Sequence, residues 1–145
     1  MAKKVILLVD DEQGFIEPLV DALMHEGYRV LTAATGAEGL ALAAKERIDL
    51  AVVDVMMPLG AALENVTSRQ KTGVYVVQRL RDLYPKLPVF CLSVVTDEPT
   101  VQAIQKTGAR FFRKGETSLR HVLEMVQTYV SLTPGSQATI RRWSG

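Results

Sequence analysis

The stretch "VILLVDDEQ", residues 5–13, decides how the chain is read. Five apolar residues follow one another without alternation and run directly into Asp10, Asp11 and Glu12. A strand that is apolar on both faces belongs in a sheet covered on both sides, the usual setting of parallel sheets. Its acidic end then lies at the carboxyl edge of that sheet, where ligands bind in open α/β folds. The pattern returns in "LAVVD", residues 50–54, which ends in Asp54.

Working outward, the remaining short apolar runs cover residues 28–33, 89–93 and 110–112, and with 4–9 and 50–53 they predict five strands. A segment of helical period follows each. Ile16, Leu19, Val20 and Leu23 form the first stripe, with Gly27 as its stop and Pro18 inside it, which predicts a late start or a kink. Thr35 and Glu38 have capping-box spacing at the head of the second. Val76, Val77, Leu80, Leu83 and Tyr84 mark the third, ending before Pro85. Residues 98–107 form the fourth, before Gly108, and Leu119, Val122, Leu123, Val126 and Val130 line the fifth, over about 119–132. Alternating strand and helix signals are those of an α/β fold with a parallel sheet.

At 145 residues the chain is long enough for one domain with a real core, read as residues 1–132, with 133–145 as a tail or the start of a linker. A net charge of +1 offers no general field for nucleic acid or anionic membrane. The single cysteine, Cys91, lies in the apolar "VFCLSVV" and reads as a buried thiol. The five-residue apolar run near the amino terminus is too short for a secretory core, and no run approaches a membrane span, so a soluble, cytoplasmic protein is expected. His25 and His121 lack metal-ligand spacing and read as surface residues.

Three carboxylates at adjacent strand ends, Asp10, Asp11 and Asp54, would repel one another unless a cation neutralised them, and hard oxygen donors suit Mg²⁺. The fourth and fifth strands end at Ser93 and Lys114. A hydroxyl, an ammonium, carboxylates and a divalent cation together can position a phosphoryl group and balance its charge. Taken singly each residue has a plainer reading: a helix cap, a turn hydroxyl, a surface lysine. The ordered set is what carries the assignment.

In "VDDE", "VVDVMMP", "LSV" and "FFRKG" the sequence resembles the receiver domain of two-component response regulators, of the chemotaxis-regulator kind, over about residues 4–132. The resemblance implies a five-stranded, doubly wound, flavodoxin-like sheet of order 2-1-3-4-5 with five helices. It implies that Asp54 takes a phosphoryl group from a histidine kinase, a phosphotransfer protein or a small donor. Asp11 and Asp54 would then ligate Mg²⁺ directly with the Met56 backbone carbonyl, and Asp10 through water. Lys114 would pair with the phosphoryl oxygens, Ser93 would swing to meet them, and Phe111 would follow inward as the switch. The face formed by helix 4, strand 5 and helix 5 would change its affinity for a downstream protein, a missing output domain or a second copy of the chain. Beyond its own phosphorylation and dephosphorylation, no enzyme activity is implied.

Several positions depart from the family pattern. Gly115 stands where most receivers have a proline, usually in a cis peptide, which predicts a trans Lys114–Gly115 bond. Phe111 replaces the commoner tyrosine, and Val94 is a branched residue where a small one is usual, expected to crowd the site. Apolar Met56 and Val95 predict a long-lived phospho-Asp54. A receiver that binds partners without phosphorylation is the alternative these departures leave open. An aspartyl-nucleophile phosphatase would need an acid where Met56 stands, and a flavin module would need a phosphate-cradling loop where the acidic "DDEQG" stands.

The connection from Asp54 to Gly73 is about eleven residues longer than in typical receivers, so residues 55–72 form an extended loop. Leu59, Leu63 and Val66 hint at a helical turn or two. The loop reads either as a surface excursion without a task or as a docking arm in which Arg69 or Lys71 steers the phosphoryl donor.

Overall fold

A computed structural model describes residues 3–55, 72–94 and 97–132. Ten elements alternate along them: β1 (Val5–Val9), α1 (Gln13–His25), β2 (Arg29–Ala33), α2 (Gly36–Lys45), β3 (Leu50–Asp54), α3 (Thr72–Leu83), β4 (Val89–Ser93), α4 (Glu98–Lys106), β5 (Arg110–Arg113) and α5 (Leu119–Leu132). All pairings are parallel and the sheet order is β2-β1-β3-β4-β5, the doubly wound arrangement that the resemblance implied. Of the extended loop read at 55–72, Thr72 already belongs to α3, while Met56, Leu59, Leu63, Val66, Arg69 and Lys71 lie outside the described residues, as do Val95 and the tail at 133–145. Among the described residues no helix is long and apolar enough to cross a membrane.

The unbroken apolar runs are explained by the two layers of helix. Along β1, β3 and β4 every residue is buried, and successive side chains go to opposite faces. Ile6, Leu8, Leu50, Val52, Phe90 and Leu92 join α1 and α5 through Leu19, Leu23, Val122 and Val126. Leu7, Val9, Ala51, Val53 and Cys91 join α2, α3 and α4 through Ala43, Val76, Val77, Leu80 and Ile104. Two cores back to back hold the central strands rigid, and with them the ends of those strands.

The stop and start signals act as read. Thr35 caps α2, its hydroxyl oxygen accepting the Glu38 N–H at 3.2 Å. Gly27 (φ +97°) and Gly108 (φ +88°) end α1 and α4 in a conformation that side chains disfavour. Of the two outcomes that Pro18 allowed, a late start or a kink, the late start does not occur: the helix begins at Gln13 and runs through Pro18. Both Pro18 and Gly14, whose carbonyl loses its usual donor, are exposed, so water can supply the missing bond.

Candidate functional site

The register of the sheet brings the acids together. Val9 pairs with Val53, so Asp10 and Asp54, the next residues along, emerge side by side at the carboxyl edge. The chain stays paired through Asp10, whose N–H donates to the Ala33 carbonyl at 2.9 Å. Asp10 and Asp54 are both buried, 4% and 3% exposed. Buried carboxylates without a cation would be costly.

Lys114 supplies the cation. It follows β5, its backbone N–H donating to the Ser93 carbonyl at 2.9 Å, and its Nζ reaches Asp10 Oδ2 at 2.7 Å and Asp54 Oδ2 at 3.4 Å. The ammonium also donates to Glu12 Oε1 and lies 4.7 Å from the centre of the Phe15 ring, within cation–π range. Burial pulls the Lys114 pKa down, but the hydrogen bonds to Asp10 and Glu12 and the charges of Asp54 and Asp10 outweigh it, leaving the pKa above the ordinary lysine value.

Asp10 makes two contacts, neither of them the helix cap or the magnesium contact weighed from the sequence. One oxygen accepts the Glu12 N–H at 2.8 Å, a local turn contact, while the other meets Lys114. Ser93 ends β4 and is fully buried, one residue beyond Leu92, which pairs with Asp54. Phe111 is half-buried against the core on the α2–α3–α4 side. Val94 is 68% exposed, so the crowding expected of it does not take the form of burial over Asp54.

The acids that converge are Asp10, Glu12 and Asp54, with one oxygen of each within 4.8 Å of the others. Asp11 is half-buried and stands outside that trio. Glu12 and Phe15 escaped the sequence reading. The available signal for Glu12 was its spacing: two residues after Asp10, with extended backbone at Glu12 (φ −93°, ψ 94°), it returns towards the side Asp10 takes.

The turn after β5 departs from a proline geometry. No described peptide bond is cis, so Lys114–Gly115 is trans as expected. Gly115 has φ +91°, and the N–H groups of Glu116 and Thr117 both donate to the Arg113 carbonyl, at 3.2 and 3.0 Å. Gly115 thus occupies the third place of a turn that requires positive φ there.

The donor set suits a hard divalent cation: carboxylate oxygens from two strand ends converge on one point, and an ammonium already sits among them. Such a set can accept a cation, and Asp54 is a buried carboxylate beside it.

Comparison with known proteins agrees with the fold. Residues 6–127 match the family model described as the response regulator receiver domain. The transcriptional regulatory protein GlrR of Escherichia coli K12 is 28% identical over 138 residues, 95% of this chain. The chain spans only 28% of that relative's length. The chemotaxis protein CheY4 of Vibrio cholerae superposes with a TM-score of 0.72 at 29% identity, covering 88% of this chain and 99% of that one. A response regulator from Burkholderia pseudomallei, solved with a phosphorylated aspartic acid, a calcium ion and citrate, superposes with a TM-score of 0.70 at 26% identity, covering 94% of this chain and 74% of that one.

Proposed function

Because the chain belongs to the response regulator receiver domain family, we propose that Asp54 is the phosphoacceptor of a two-component signalling protein. The observation that carries this is the burial of Asp54 beside Asp10 with Lys114 Nζ at 3.4 Å. An Asp54 oxygen attacks phosphorus, the bond from phosphorus to the donor breaks, and an acyl phosphate forms. The donor is a phosphohistidine on a histidine kinase or phosphotransfer protein, or acetyl phosphate. The leaving imidazole or acetate keeps the bonding electrons.

Mg²⁺, when bound, supplies positive charge opposite the carboxylates and the phosphoryl oxygens. Asp11 and Asp54 would hold it directly with the Met56 carbonyl, and Asp10 would act through water. Lys114 then pairs with the phosphoryl oxygens, and the Ser93 hydroxyl turns to donate to one of them. Phe111 moves inward with Ser93, a packing change only, since it has no hydroxyl. Neutral Met56 and Val95 leave the acyl phosphate poorly served for attack by water, which favours a long lifetime. The relative solved with a phosphorylated aspartic acid and a bound cation supports this reading.

The output is a change in the α4–β5–α5 face, read by a downstream protein, an output domain or a second copy of the chain. The receiver occupies residues 1–132, with the extended loop at 55–72, and 133–145 serve as a tail or linker. A second reading, a module that binds partners without phosphorylation, draws on Gly115, whose φ of +91° gives the turn that carries Lys114 a form that proline cannot take.

One experiment separates them. Incubation with Mg²⁺ and acetyl phosphate should add one phosphoryl group by intact mass, and Asp54→Asn should abolish it. No addition under acetyl phosphate, and no beryllofluoride uptake, would leave the phosphorylation-independent reading.

A further inference from the structure

The place of Glu12 is not explained by its own needs. It is the N-cap of α1, yet its side chain makes no capping bond; the N–H groups of Phe15 and Ile16 go instead to its backbone carbonyl, both at 3.1 Å. Its carboxylate is turned to the Lys114 ammonium. The pair is lopsided: the Glu12 side chain is 61% exposed, that of Lys114 only 5%. A carboxylate so exposed is hydrated and requires no partner, unlike buried Asp10 and Asp54. The contact therefore acts on the lysine.

An ammonium has three N–H donors, and those of Lys114 meet Asp10, Asp54 and Glu12. It lies among oxygens that approach within 4.8 Å of one another, the place where a shared divalent cation would bind. Phe15 closes another side of the ammonium. The Lys114 backbone is pinned by its N–H bond to the Ser93 carbonyl, which fixes where the side chain starts. Where the ammonium comes to rest, at the end of a flexible four-carbon stem, is set by its side-chain partners.

We propose that Glu12 is a positioning residue that tethers Lys114 among the carboxylates and so sets how readily a divalent cation displaces the ammonium. Asp10 and Asp54 attract either cation. Glu12 tips the competition towards the resident lysine while the site awaits a phosphoryl group. The inference rests on the phosphoacceptor reading only for the identity of the incoming cation, Mg²⁺.

The test is a double-mutant cycle on the full chain, with Mg²⁺ affinity measured by titration calorimetry for wild type, Glu12→Gln, Lys114→Met and the double variant. With Lys114 present, Glu12→Gln should tighten Mg²⁺ binding about two- to fivefold, the range expected of an ion pair with one exposed partner. In the Lys114→Met background the gain should vanish or reverse, because only the attraction of the Glu12 charge remains to be lost. An equal change in both backgrounds, or weaker binding in Glu12→Gln with Lys114 present, would overturn the tether.

Fluorine NMR of beryllofluoride uptake by the same samples keeps the two readings apart. The expected Glu12→Gln pattern without uptake by wild type would overturn the phosphoacceptor reading and leave the tether. Uptake by wild type with equal effects in both backgrounds would overturn the tether alone. No Mg²⁺ binding by any of the four proteins would overturn both.

Discussion

Gly73 lies directly against Val55: a Cβ built on Gly73 would come within 2.6 Å of the Val55 Cα, and the Gly73 N–H donates to the Val55 carbonyl at 3.3 Å. The chain thus leaves the sheet one residue after Asp54 and returns to the same point to begin α3. Whatever the length of the connection, its two ends are joined. Gly73→Ala must move backbone at the phosphoacceptor strand, and should cost about 1–3 kcal/mol in urea unfolding. Gly14→Ala, where an added Cβ meets nothing within 4 Å, should cost nothing and gain up to about 1 kcal/mol. Equal effects at the two positions would contradict the close approach.

Lys114 gives the stability a pH dependence of known sign. Its folded pKa lies above the ordinary 10.5, so the stabilisation from its ion pairs is fully present below the unfolded value and is lost as pH rises through the folded one. Tyr28 and Tyr84, both pushed above their ordinary 10.0 chiefly by burial, act in the same direction. Urea midpoints should therefore fall above about pH 10 in wild type, and fall less in Lys114→Met. Parallel curves for the two proteins would remove Lys114 from the account.

Gly115 sits at a backbone angle that proline cannot adopt, since its ring fixes φ near −65°. Gly115→Ala, free of clashes but left-handed, should cost about 1–2 kcal/mol. Gly115→Pro should cost more, because the turn that carries Lys114 must be rebuilt. A Gly115→Pro protein more stable than wild type would show that the turn is not held as described.

What could be read from the residues follows the physics that acts locally. Unbroken apolar runs and helical stripes gave five strands and five helices within a few residues, because each signal is confined to one element. Asp10 and Asp54 were legible because strand ends of a parallel sheet converge by topology. Glu12 and Phe15 were not, since their place around Lys114 is set by contacts between residues far apart in the sequence, 102 positions in the Glu12–Lys114 pair. Pro18 left two outcomes open for a related reason: its cost depends on whether water reaches the carbonyl of Gly14, and exposure is a tertiary property.

Cys91 provides a probe of the core that is independent of the site. It is fully buried on β4, and burial raises its thiol pKa to about 12 in spite of the nearby Arg81, so almost none of it is thiolate near neutral pH. Only the thiolate attacks a disulfide reagent, so the folded protein should react through opening of the sheet rather than in place. Labelling with a coloured aromatic disulfide at about pH 8, close to the unperturbed thiol pKa, should be slow. Its rate should rise with urea in step with unfolding, releasing one equivalent per chain, as the single cysteine dictates. Substitutions that weaken the α3–β3 contact, Gly73→Ala first among them, should accelerate the labelling at fixed urea. Rapid labelling of the native protein, insensitive to urea, would mean that β4 is open to reagent and that the two-sided core does not shield it.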